Sequence, residues 1–352
     1  MLRRLAERLL SRVWPGDRAK HSAPQSPTRG PLTHVIILDG TLSTLEAGHE
    51  TNAGLTYRLL SEVGVPVSVY YESGLQMHSW RDAKAVLMGR GINRQIRRAY
   101  GYLASRYHPG DRIFLLGYSR GAFAVRSLAG VIDTVGLLRS HHATERNITQ
   151  AYRYYQMTPG SPAARSFVRA HCHESVQIQM VGAWDTVKSL GLRLPLLWRW
   201  SEADHAFHNH TLGPSILHGC HALALDETRQ VFEPVLWASD DTTAGRIEQV
   251  WFKGSHGDVG GQIGGHADAR PLSNIPLVWM LEQTERAGLI LPAGWRARFP
   301  CDPDAPSVGT WRDWGKLFLL RRRRRVGLDP SERYHETALR ADAAVTLRRQ
   351  AG

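Results

Sequence analysis

RIFLLGYSRGAFAVRSLAG, residues 112–130, runs without a break from an apolar stretch through a Gly-Tyr-Ser-Arg-Gly turn into a run of helix formers. Ile113 to Leu116 have the character of a buried strand. Ala122 to Leu128 put Val125 and Leu128 on one helical face. No proline or polar loop separates the two segments, so the chain must reverse within a few residues. Gly117 and Gly121 suit that reversal, because without Cβ atoms they let strand and helix pack closely. Ser119 falls at the tip, beside a helix N-terminus that carries partial positive charge and unpaired N–H groups. The spacing predicts a strand–turn–helix elbow that projects Ser119 Oγ beyond the sheet, with the Arg120 N–H placed to meet a developing oxyanion. Gly-x-Ser-x-Gly alone recurs by chance; the strand before it and the helix after it give it weight.

The same alternation extends both ways. THVIILDGT offers a strand, Val35 to Leu38, ending in Asp39 and Gly40. TNAGLTYRLLSEVG reads as a helix closed by Gly64, VPVSVYYE as a strand, and INRQIRRAYGYLASRY as a helix. After the elbow, ITQAYRYYQM and AARSFVRAHC look like an inserted helical pair. SVQIQMVGAWDTV is a strand ending at Asp185. A helix-like segment follows His221, and Gln249 to Phe252 form a strand running into a glycine-rich loop. SNIPLVWMLEQTERAG reads as a helix capped by Ser273 or Asn274 with Pro276 in its first turn. Strands alternating with helices predict an α/β fold, a mostly parallel sheet with helices on both faces. The irregular, aromatic stretch Leu194 to Phe207 reads as an inserted cap. Residues 1–32 read as a basic amphipathic segment and linker, and 33–345 as one α/β domain with cap insertions.

In such sheets functional groups collect at the carboxyl ends of strands. A serine needs a histidine to take its proton and a carboxylate to orient that histidine. Ser119, Asp185 and His256 occur in that order, each just past an apolar strand. His221 is a rival base. Asp258 either orients His256 or caps a turn. Gly40 and Thr41 follow the first strand, where a second oxyanion donor is expected, and Asp39 stands beside them as a supporting residue. VIILDGTL also resembles the opening of haloacid-dehalogenase-type phosphatases, but Ile37 occupies the place of their nucleophilic aspartate.

The formal net charge of +12 is concentrated in two places. In MLRRLAERLLSRVW, Leu2, Leu5, Leu9 and Val13 recur at helical spacing between four arginines. An anionic membrane surface is therefore a candidate partner, as is docking on the protein itself. The segment lacks the uninterrupted apolar core of a secretory signal. The expectation is a chain cytoplasmic as synthesised, then exported without a signal peptide or held peripherally on a membrane. The second concentration is Arg321 to Arg325. No aromatic interleaving or recognition motif accompanies it, so nucleic acid is not indicated. Cys172, Cys220 and Cys301 lack metal-ligand or disulfide spacing, and neither metal nor organic cofactor is called for. No apolar stretch approaches the roughly 18 residues of a membrane span.

The blocks LDGT (38–41), TN (51–52), GYSRGA (117–122), WDTV (184–187), HALALDETRQVFEPVLW (221–237) and QVWFKGSHGDVGG (249–261), with a weaker YHETALR (334–340), resemble the type VI secretion lipase effectors of family 1. The resemblance covers nearly all of the chain after the linker. It implies an α/β-hydrolase fold, a Ser-Asp-His triad and cleavage of fatty-acyl esters of phospholipids. Ser119 matches the family nucleophile, with Asp185 and His256 as its partners. After its DGT the family pattern usually has a glycine, where this chain has Leu42. The implied function is a serine ester hydrolase. The alternative is a catalytically weak hydrolase fold that binds lipid or protein partners, against which the serine at position 119 speaks.

Overall fold

Short apolar runs such as VIIL and IFLL mark strands covered on both faces, as parallel sheets require. The computed structural model describes residues 29–74, 91–187, 211–311, 316 and 318–339. The N-terminal amphipathic stretch and the expected aromatic cap, Leu194 to Phe207, lie outside the described residues. The chain divides into two units, Met1–Gly30 and Pro31–Gly352, and every element below belongs to the second.

Strands β1 (Thr33–Leu38), β2 (Val67–Glu72), β3 (Arg112–Tyr118), β4 (Ile178–Trp184), β5 (Ile216–Ala224), β6 (Ile247–Phe252) and β7 (Glu332–Tyr334) form one sheet in the order β2-β1-β3-β4-β5-β6-β7. Every adjacent pair is parallel. Period-two alternation sorts the strand residues between two cores. Ile36, Leu38, Ile113 and Leu115 face α2 (Ile92–Arg106), α3 (Arg120–Val135) and α4 (Glu145–Met157). Val35, Ile37, Phe114 and Leu116 face α1 (Asn52–Ser61) and α7 (Arg270–Arg286). Helices thus cover both faces, and the molecule has the α/β-hydrolase-like architecture expected. The inserted pair is α4 and α5 (Pro162–His171).

Three local expectations are corrected, and one strand, β7, is new. His221 lies inside β5, with Ala183 of β4 and Gln249 of β6 as its neighbours in register. The alanines and leucines there favour helix intrinsically, but pairing on both sides overrides that preference. The glycine-rich loop after β6 instead opens with a short helix, α6 (His256–Gly260), ended by Gly261 in the left-handed region at φ 80°. Helix α7 begins three residues early, so Ser273, Asn274 and Pro276 lie within it. Strand β7 had no counterpart in the sequence reading.

The order β2-β1-β3 places the site. Connections leave β1 and β3 toward opposite edges, which opens a crevice at the carboxyl ends of these two strands. Asp39 and Ser119 stand there.

Candidate active site

The elbow is tight because two glycines touch. A Cβ on Gly121 would lie 2.0 Å from the Leu38 carbonyl oxygen, and one on Gly117 would lie 2.6 Å from the Gly121 backbone. Ser119 between them adopts φ 57° and ψ −119°, a conformation that a residue with a side chain rarely takes. Its N–H donates to the Trp184 carbonyl at 2.9 Å, which fixes the turn against the end of β4.

Asp185 follows β4 with φ 43°. Its own N–H donates to the Ala222 carbonyl (2.8 Å), and its Oδ1 accepts from the Ala224 N–H (3.0 Å). His256 opens α6, whose start is held by reciprocal bonds between Ser255 and Asp258. Asp258 Oδ2 accepts from the Ser255 N–H (2.7 Å) and hydroxyl (2.8 Å), and Oδ1 from the Val308 N–H (2.8 Å). Asp258 therefore caps the helix and does not touch the imidazole.

These three strand ends converge. His256 Nε2 lies 2.9 Å from Ser119 Oγ, and His256 Nδ1 lies 2.5 Å from Asp185 Oδ2. Rings clamp the imidazole: Phe232 stacks on it at 4.7 Å and 8°, and Tyr118 lies at 4.9 Å. The backbone N–H of His256 donates to Glu227 Oε2 at 3.1 Å. Arg229 pairs with that carboxylate and extends over the Phe232 ring.

The charge balance has a feature the sequence reading missed. Arg324, from the arginine run, turns inward. Its Nη1 donates to Asp185 Oδ1 (2.6 Å) and to the Ala224 carbonyl (2.8 Å). Its Nη2 donates to Asp185 Oδ2 (2.8 Å) and to the Phe232 carbonyl. Burial alone would raise the Asp185 carboxyl. The Arg324 guanidinium and the His256 hydrogen bond outweigh it and hold Asp185 well below the usual carboxylate range. An ionised carboxylate only accepts hydrogen bonds. His256 Nδ1 must then carry the proton, which leaves Nε2 a lone pair for the Ser119 hydroxyl. The run as a whole is not a solvated tract: Arg321 bonds Thr310 and covers the Trp311 ring, while Arg322, Arg323 and Arg325 are exposed.

His221 and Asp39 occupy other places. His221 is fully buried, and its Nε2 accepts the Thr186 N–H at 3.0 Å. It supports the backbone after Asp185 and has no bond to Ser119. Asp39 accepts from the Gly40 N–H (2.7 Å), the Thr51 hydroxyl (2.6 Å) and the Tyr71 hydroxyl (2.7 Å). Burial pushes its carboxyl up to about 6 against those bonds. Gly40 does lie beside the serine, since a Cβ there would be 3.4 Å from Ser119 Cβ. Its N–H, expected to face an oxyanion, is instead committed to Asp39. Leu42, where the resemblance leads one to expect glycine, takes φ 61°. Among the described residues no group of three or more His, Cys, Asp or Glu side chains is arranged to hold a metal, and no helix is long and apolar enough to cross a membrane.

The family model described as "T6SS, Phospholipase effector Tle1-like, catalytic domain" matches residues 33–283. A curated relative, the uncharacterized protein YEL023C of Saccharomyces cerevisiae, is 25% identical over 62% of this chain and 34% of its own length. The chain thus spans about a third of that relative. Among solved structures, an uncharacterized protein from Pseudomonas aeruginosa aligns with TM-score 0.43 at 16% identity, covering 85% of this chain and 51% of that one. A Tle1 effector bound to the VgrG spike of the type 6 secretion system aligns with TM-score 0.38 at 17% identity, covering 67% and 52%. With the family model matched over most of its length, the chain belongs to the Tle1-like phospholipase effector catalytic domain family.

Proposed function

We propose that this family member is a serine ester hydrolase acting on the acyl esters of phospholipids, with Ser119, His256 and Asp185 as its triad. The observation that carries the reading is the unbroken hydrogen-bond chain from Ser119 Oγ through both ring nitrogens of His256 to Asp185. Nε2 takes the hydroxyl proton as Oγ attacks the ester carbonyl, then delivers it to the leaving alcohol. Asp185, kept ionised by Arg324, fixes the tautomer and stabilises the imidazolium. The stacked Phe232 and Tyr118 rings keep the imidazole on the line between its two partners. The Arg120 N–H, at the positive end of α3, meets the oxyanion. Gly40, whose N–H is held by Asp39, is left out of that role. Hydrolysis then repeats the cycle with water. Membership of a phospholipase effector family supports lipid as the substrate class.

A fluorophosphonate probe tests the nucleophile, and mass spectrometry of products from mixed phospholipid vesicles tests the substrate. Ser119→Ala is expected to abolish labelling and to slow ester hydrolysis by roughly 10³-fold or more, with the fold intact. Undiminished hydrolysis by that variant rules the reading out.

A further inference from the structure

The segment that supplies Arg324 also presents an unusual surface. Leu319 and Leu320, adjacent in sequence, are 78% and 62% exposed. Trp311 is exposed too, with Arg321 laid across its ring at 3.5 Å. Lys316, Arg322, Arg323 and Arg325, close by in the chain, are exposed as well, and residues 316–325 contain no acidic side chain. The segment is fastened to the protein from beneath. Gln230 N–H donates to the Leu320 carbonyl (3.1 Å), Arg322 N–H to the Thr228 carbonyl (2.7 Å), and Arg324 reaches Asp185. The leucines are therefore held outward. They are also close to the site: Phe318 meets Phe232 edge-on at 5.6 Å, and Phe232 stacks on His256.

We infer that Leu319 and Leu320, with the exposed Arg322, Arg323 and Arg325 that follow them in the chain, form a docking face for an anionic phospholipid bilayer, beside the mouth of the site. Two terms act together at a membrane surface. Apolar side chains enter the acyl boundary, and basic side chains gain from the negative surface potential. Each other partner satisfies one term only. A nucleic acid would use the arginines and leave the leucines in water. A second copy of the chain would cover the leucines but set like charges against one another. The inference rests on the hydrolase reading for the identity of the lipid, and its test is independent of turnover.

The full chain carrying Ser119→Ala is sedimented with vesicles of phosphatidylcholine alone and of phosphatidylcholine with one quarter phosphatidylglycerol. Binding to the anionic vesicles only, weakened by added salt, is expected. The pair Leu319→Gln with Leu320→Gln, and separately the triple Arg322→Gln, Arg323→Gln, Arg325→Gln, are each expected to weaken it roughly tenfold or more, with the melting temperature unchanged. Should the paired glutamines lower the melting temperature, Leu319→Ser at the more exposed position carries the test. Parent-like sedimentation of both variants overturns the inference, as does a parent that ignores anionic vesicles. It is also overturned if the leucine pair only dissociates a dimer, or if an oligonucleotide is bound through the arginines while lipid is not. Failure of the hydrolase reading shows separately, as retained hydrolysis by the Ser119→Ala chain.

Discussion

Two histidines grip consecutive residues of the chain. His256 meets the Asp185 carboxylate through Nδ1, and His221 accepts the Thr186 N–H through Nε2. Both were candidates for the base on sequence grounds, His256 just past an apolar strand and His221 ahead of a helix-like segment. Their surroundings part them. His256 opens a helix at the rim of the crevice, with a hydroxyl on one nitrogen and an ionised carboxylate on the other. His221 is enclosed within β5, edge-on to Trp237 at 5.7 Å. Burial, reinforced by Arg126, pushes its pKa down to about 3, with the nearby Asp185 charge pulling the other way. A neutral ring with no exchangeable partner hydroxyl can brace a backbone but cannot relay a proton. On the proposed reading, what both ring nitrogens touch marks His256 as the proton carrier, more than its place near a strand end.

The largest expected effect is that of His256→Ala. Triad members act as a unit, so its loss of kcat/KM on a soluble ester is expected to match that of Ser119→Ala, on the order of 10³-fold or more. A loss of a few-fold would return the role of base to another group. Arg324→Gln tests the same pair from the carboxylate side. Without the guanidinium, burial pushes Asp185 upward, and only His256 and the Ala224 N–H answer its charge. A rate loss of roughly 10- to 100-fold is expected. The acidic limb of the kcat/KM profile should also move to higher pH, a shift that simple loosening of the fold would not cause. Arg324→Lys, which keeps the charge but not the fork, should recover part of that limb.

The smallest effect belongs to His221. Its folded pKa lies below the ordinary histidine value of 6.5. The unfolded chain therefore binds more protons between about pH 3 and 6.5, and stability falls as pH drops through that window. His221→Gln should remove a slope of at most about 1.4 kcal/mol per pH unit from denaturant-derived stability. Its hydrolytic rate at neutral pH should fall less than tenfold. A parent-like slope in the variant would show that other groups govern the acid limb of stability.

How far the sequence could be read follows from how local each feature is. The elbow was legible because Ser119, its two glycines, the strand and the helix lie within one short stretch. Asp185 and His256 were legible because each ends an apolar strand in a fold whose strand ends face one way. Glu227 and Phe232 fell inside a recognisable block, yet nothing local showed that one would hold the His256 N–H and the other its ring. Arg324 was hidden most deeply. One residue of a five-arginine run does not differ from its neighbours until the chain returns from 139 residues away and turns only that side chain toward Asp185. The helix at His256 was obscured by its glycines, whereas its Ser255 and Asp258, three apart, were the signal that could have revealed it. The strand around His221 was misread because neighbours on both sides overrode a helix-leaning composition.

Three residues with side chains, Leu42, Ser119 and Asp185, are the non-glycine positions with positive φ among the described residues, and two of them belong to the proposed triad. Each such conformation costs of order 1–3 kcal/mol and persists only where the surroundings leave no alternative. Stability and activity are therefore in opposition at these turns. A lineage selected only for heat resistance would be drawn toward glycine at the very positions where the proposed triad has its hydroxyl and its carboxylate. On the proposed reading, Ser119 and Asp185 give up local stability for the groups the chemistry uses.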